Sequence, residues 1–140
     1  MLHIPAHILA QAFSYVAMIK LALAKRFGLN AFQFLTLVLV GNTKRLPIKE
    51  LKKKFSIPGS SLTFTLDALE KRGLIKRLRN EEDRRQWLLS LSPKGERLYT
   101  EILKAESEAI SPVLDNLSES EKTAFLRIAE EITRVSNTII

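Results

Sequence analysis

Residues 6–27 carry apolar side chains on nearly every side of a helical wheel, and this constrains the chain more than any other feature. Pro5 suits the first turn of a helix and Gly28 suits its end, so the stretch reads as one helix. Ile8, Leu9, Phe13, Val16, Met18, Ile19, Leu21 and Leu23 do not keep to a single stripe. A helix that is apolar all round must be buried on more than one side. The chain has 140 residues, which at roughly 100–200 residues per domain makes one domain. Such a domain has little interior to surround the helix, so a second subunit is the expected cover. Gln11, Ser14 and Lys20 interrupt the stretch, which therefore lacks the ~20 uninterrupted apolar residues of a membrane span. No basic segment of the signal-peptide kind precedes it. The expected location is the cytoplasm, with no membrane partner.

Charge divides the chain into three parts. The net charge is +7, from 22 Lys and Arg against 15 Asp and Glu. Residues 1–43 hold Lys20, Lys25 and Arg26 and no acid; residues 44–97 hold 15 basic and 7 acidic side chains; residues 98–140 hold 4 basic and 8 acidic. An apolar start is thus followed by a centre at +8 and an end at −4. The surplus points to a polyanionic partner for the centre.

The centre also has the sharpest pattern. Asn30 and Gln33 form a capping-box pair that opens a helix expected to run through Val40 and to stop at Gly41-Asn42. Ile48, Leu51 and Phe55 then mark a short helix, with Lys49, Lys52 and Lys53 on its other faces. Ser56-Ile57-Pro58-Gly59 is a turn. A further helix follows over about residues 60–72, with Leu62, Leu66 and Leu69 inward and Gly73 as its stop. After Gly73 the period changes to that of strands. Residues 74–78 and 87–91 read as a hairpin whose tip, Arg79 to Arg85, is charged except at Asn80. Ser92 and Pro93 start a long helix, whose end Pro112 leaves open, and Ser118-Glu119-Ser120-Glu121 starts the last one. That helix aligns Phe125, Ile128, Ala129, Ile132 and Val135 on one face. The fold class is mainly α with a small β-hairpin wing. A winged helix-turn-helix over 29–97 lies between dimerisation helices at 1–28 and 98–140.

In such a unit the second helix can lie in the DNA major groove while a basic hairpin tip reaches the backbone or minor groove. With its leucines inward, the helix aims Ser60, Phe64, Asp67 and Lys71 outward, with Ser61 and Ala68 beside them and Thr63 and Thr65 at the margins. Short hydroxyls near a helix N-terminus suit phosphates and base edges; Ser60 equally suits an N-terminal cap. At the tip, Arg79, Arg84 and Arg85 face Glu81, Glu82 and Asp83, so the tip sums to zero. Two readings stand: a self-compensating solvated turn, or an aspartate that holds one arginine while another enters a narrow minor groove.

Four stretches resemble the MarR family of winged-helix transcriptional regulators. They are residues 46–51 (Leu-Pro-Ile-Lys-Glu-Leu), Ser60-Ser61-Leu62-Thr63 continuing as Leu66-Asp67-Ala68-Leu69-Glu70-Lys71-Arg72-Gly73-Leu74-Ile75, Asp83-Arg84-Arg85, and Leu91-Ser92-Pro93-Lys94-Gly95. The resemblance implies a homodimer with interlocked terminal helices, acting on double-stranded DNA at a pseudo-palindromic operator, most readily as a repressor. It maps the wing arginine to Arg85 and its supporting aspartate to Asp83. The DNA-binding residues expected are Ser60, Ser61, Thr63, Phe64, Thr65, Lys71, Arg79, Asp83, Arg84 and Arg85. It also implies a small aromatic or phenolic effector, with Tyr15, Lys20 and Phe32 as candidate lining. Phe64 and Ala68 depart from the family, where many relatives carry arginine. Readout by hydroxyls, thymine methyls and DNA shape is then expected.

The alternative is a winged-helix module that docks a protein partner through Phe64, with weak or no DNA binding. An enzyme is not expected. His3 and His7 have no acidic partner at metal-ligand spacing, the late glutamates read as solvated charge, and neither a phosphate loop nor a nucleophile–base pair is present. No cofactor or metal is implied. The absence of cysteine excludes the thiol-oxidation switch of some MarR relatives.

Overall fold

A computed structural model describes residues 5–139; His3 lies outside them. Six helices and a small sheet follow in order: α1 (Ala6–Arg26), α2 (Ala31–Thr43), β1 (Leu46–Pro47), α3 (Ile48–Phe55), α4 (Gly59–Lys71), β2 (Ile75–Arg79), β3 (Trp87–Leu91), α5 (Pro93–Leu114) and α6 (Glu119–Ile139). The sheet is antiparallel in the order β1-β3-β2, with Leu46 opposite Leu89 and Arg79 opposite Trp87.

Local chemistry accounts for most boundaries. The Asn30 side chain accepts from the Gln33 amide at 2.9 Å and the Gln33 side chain accepts from the Asn30 amide at 3.0 Å, so two orphan donors of α2 are satisfied. Ser92 caps α5 by accepting from the Gly95 amide at 2.9 Å, and its hydroxyl donates to the Gly73 carbonyl. Gly73 itself sits at φ +69°, in the left-handed region where a side chain is strained. A Cβ on Gly95 would lie 2.0 Å from the Leu74 carbonyl oxygen, so α5 can start this close to the hairpin only at glycine. Ser118 and Glu121 form a second capping box at the start of α6.

One expectation is corrected, and two points left open by the sequence are filled in. Gly41 and Asn42 do not stop α2, which continues to Thr43. The Tyr99 ring of α5 lies against Gly41, where an added Cβ would come within 2.5 Å of it, and the Tyr99 hydroxyl donates to Asn42 Oδ1. Packing here outweighs the helix-breaking tendency of glycine. Secondly, α5 runs through Pro112. Proline offers no N–H to the Glu108 carbonyl, and the Ser111 hydroxyl donates to that carbonyl instead, at 3.3 Å. Thirdly, the hairpin is joined by β1, a strand of two residues too short for any periodicity.

Leu37, Leu51, Leu69, Leu89 and Val40 are wholly buried at the centre of the winged lobe, joined by Leu23 and Ala24 from the end of α1 and by Ile102 of α5. Each such side chain contributes roughly 1.5–3 kcal/mol by leaving water. The terminal helices differ. Ile8, Leu9, Phe13, Tyr15, Met18 and Leu21 of α1 are exposed, and no described side chain of α6 is buried. By length and composition alone α1 is apolar enough to cross a membrane, contrary to the expectation above. Its far end is nevertheless tied to the rest of the protein, through Leu23 and Ala24 and through an ion pair from Lys20 to Glu106 of α5 at 2.5 Å.

Candidate nucleic-acid interface

Helices α3 and α4 are joined by a tight turn in which Ser56 takes a left-handed conformation, φ 48°. Pro58, not Ser60, occupies the N-cap position of α4, and no side chain caps it. Ser60 is therefore not spent on capping. It lies exposed in the first turn beside exposed Ser61. Thr63 is exposed, with its hydroxyl donating to the Gly59 carbonyl at 3.0 Å. Phe64 projects from the middle of the outward face and is 73% exposed. Lys71 is exposed at the last residue of the helix.

Thr65 is a correction. It is buried, and its hydroxyl donates to the Ser61 carbonyl at 3.0 Å. A threonine that satisfies its hydroxyl on its own helix can turn inward without leaving an unpaired polar group, so it joins Leu62, Leu66 and Leu69 against the core. Nothing of it reaches a ligand on the outward face.

The wing is ordered by its own side chains. Asp83 Oδ1 accepts from the Arg85 amide at 3.1 Å and from Arg85 Nε at 3.3 Å, while Oδ2 accepts from Gln86 Nε2 at 3.0 Å. The Arg85 amide does most to hold the Asp83 carboxyl below its usual range; slight desolvation opposes it, and Gln86, the Arg85 guanidinium and the charge of Lys49 assist. The Arg85 side chain touches Asp83 only by Nε and is 94% exposed. Arg79 is occupied. Its guanidinium stacks 3.9 Å from the centre of the Trp87 ring and donates to the Arg84 carbonyl at 2.7 Å. Arg79 therefore braces the tip, whereas Arg84 and Arg85 are exposed. Asp83 thus clamps Arg85, a geometry that fits both readings of the tip.

Two partners were missed in the sequence. Arg77 of β2 pairs with Asp67 of α4 and lies 3.6 Å from Glu70, tying the wing to the helix and neutralising acids beside its outward face. Alternation along β2 places Arg77 and Ile75 on one side of the strand, which was the available signal. Gln86 was the other, three residues after Asp83.

Away from this surface, a cavity of about 180 Å³ between α1 and α2 is lined by Ala17, Lys20, Leu21, Ala24, Ala31, Phe34 and Leu35. Of the three effector residues expected, only Lys20 lines it. Tyr15 is exposed on α1, and Phe32 packs on Phe55 with ring centres 5.6 Å apart.

Residues 29–87, which span α2 to the start of β3, match the model of the MarR family. Over that segment, which is less than half of the chain, the protein is similar to the MarR family. The HTH-type transcriptional repressor YetL of Bacillus subtilis (strain 168) is 29% identical to the chain over 107 residues. That alignment takes in 75% of this chain and 64% of YetL, so the chain spans slightly under two thirds of that relative's length. The crystal structure of NadR in complex with 4-hydroxyphenylacetate is 25% identical with a TM-score of 0.76, over 97% of this chain and 95% of NadR. Streptococcus pneumoniae FabT, solved in complex with DNA, shares the fold at a TM-score of 0.74 and 21% identity, over 96% of each chain.

Proposed function

We propose that the protein is a sequence-specific regulator of transcription that binds double-stranded DNA as a homodimer, most readily as a repressor. The observation that carries this reading is the free guanidinium of Arg85. It is set by an aspartate clamp at the tip of a wing beside an outward helix face, within the segment that holds the chain's surplus positive charge. A guanidinium held at its base and free at its head suits the negative potential of a narrow minor groove. In the same orientation α4 enters the major groove, and Ser60, Ser61, Thr63, Phe64 and Lys71 face the DNA. Residues 29–97 then form the reading lobe, with 1–28 and 98–140 as the dimerisation arms. Binding of this kind, rather than catalysis, is the proposed activity, in the compartment that holds the DNA.

The bare faces of α1 and α6 support the dimer, and two lobes related by a two-fold axis call for a pseudo-palindromic site. Selection of bound duplexes from a random pool tests the reading. An inverted repeat with half-sites about one helical turn apart is the expected product, and a pool that enriches nothing overturns it. We further propose that a small aromatic acid binds the cavity between α1 and α2, where it competes with Glu106 for Lys20. The aromatic acid held by NadR supports that chemistry.

The exposure of Phe64 favours one second reading, a protein-docking lobe. Salt separates the two, since DNA binding weakens steeply as counterions are added and an apolar anchor hardly responds.

A further inference from the structure

Phe64 sits on the outward face of α4, one turn after Ser60 and one turn before Asp67. At 73% exposure it is the most exposed large apolar side chain of the winged lobe. Its neighbours on that face offer no strong base reader. Ser60 and Ser61 are short, the Thr63 hydroxyl is turned onto the Gly59 carbonyl, and Asp67 is held by Arg77. Lys71 lies nearly two turns further on. A phenyl ring makes no hydrogen bond to a base edge, and the one apolar group in the floor of the major groove is the C5-methyl of thymine. Against the edge of a G·C pair the ring would instead leave donors and acceptors dry and unpaired, which costs free energy.

We infer that Phe64 is the specificity-determining residue of the outward helix face and reads a thymine methyl in each half-site. The inference rests on the DNA-binding reading above. The surroundings favour DNA over an apolar protein partner as the occupant. The same lobe carries exposed Lys52 and Lys53 of α3, Lys71 of α4 and Arg84 and Arg85 of the wing, which complement a polyanion and not an apolar surface. The arrangement also gives a use to a helix face so poor in charge.

The test takes the duplex recovered from the random-pool selection and replaces each thymine in turn by deoxyuridine, which removes only the methyl group. Affinity is read by fluorescence anisotropy for the full wild-type chain, Phe64→Ala and Phe64→Leu. One thymine per half-site is expected to lose about fourfold in wild-type affinity on becoming uracil, the effect of one buried methyl group. The same replacement should leave Phe64→Ala unaffected and keep part of its effect in Phe64→Leu. Because Phe64 is exposed, an unchanged unfolding temperature should show that the variants fold. Wild-type affinity indifferent to every thymine methyl overturns the inference while leaving DNA binding intact. So does a uracil effect equally large in Phe64→Ala. If Phe64→Ala also binds the duplex like the wild type, the ring belongs to a protein partner. Failure of the selection itself removes the DNA-binding reading first.

Discussion

The winged lobe holds a smaller share of apolar residues than the terminal arms, yet it buries many of them while the arms leave most of theirs unburied. In the lobe, Leu37, Leu51, Leu69 and Leu89 are buried within one protomer. In the arms, Phe13, Met18 and Leu21 of α1 and Phe125, Leu126 and Ile128 of α6 lie open. The lobe closes much of its own core, and the arms leave broad apolar faces open. The charges follow this line in part, since the basic surplus lies on the lobe and the acidic surplus on the C-terminal arm, while the N-terminal arm carries Lys20, Lys25 and Arg26 and no acid.

The comparison breaks most visibly at the arms. Ile128→Asp with Ile132→Asp places two charges on the open face of α6, where each unpaired charge buried in a dimer costs several kcal/mol. A monomeric chain by light scattering is expected, with DNA binding weakened by about 100-fold or more. A dimer that survives this change would show that α6 is an exposed helix and nothing else. The lobe breaks from within. Gly95→Ala drives a Cβ into the Leu74 carbonyl, and a loss of about 3 kcal/mol in denaturant unfolding is expected from a clash with backbone that cannot give way. An unchanged midpoint would mean that α5 shifts freely on the hairpin.

The wing sharpens the comparison, because on the proposed reading its exposed tip serves DNA binding more than stability. Arg85→Ala should leave unfolding unchanged while reducing DNA affinity about tenfold and the salt slope by about two per dimer. Asp83→Asn should act on the same quantity more weakly, by a few-fold, because it loosens the clamp and keeps the charge. Its pH dependence has a definite sign. The Asp83 pKa is depressed in the folded wing, so the clamp is fully present above the ordinary aspartate range and is lost as pH falls through the depressed value. NMR signals of Arg85 Nε and Gln86 should therefore hold from neutral pH down into that range, and an earlier change would remove Asp83 from the clamp.

Much of this was legible in particular residues. Asn30 with Gln33, Ser92 with Pro93 and Ser118 with Glu121 mark helix starts because their side chains satisfy local backbone groups, and local rules read from sequence. Asp83 and Arg85 were legible for the same reason, being two residues apart on one turn. What escaped depends on partners distant in sequence. Gly41 is helical because Tyr99 lies on it, β1 exists because β3 is beside it, and Arg77 reaches Asp67 across two elements. Thr65 escaped for a finer reason. A wheel that reads hydroxyl as polar cannot register that Ser61 has already satisfied it.

The central claim is that the self-sufficient basic lobe binds DNA and that the arms present it twice. The most direct measurement is the affinity of the wild-type chain for its selected duplex across a salt series, with the stoichiometry determined alongside. Two chains per duplex and a straight, steep fall of log affinity with log salt are the predicted result, each phosphate contact adding about 0.9 to the slope. A flat series, or one chain per duplex at saturation, would contradict the account.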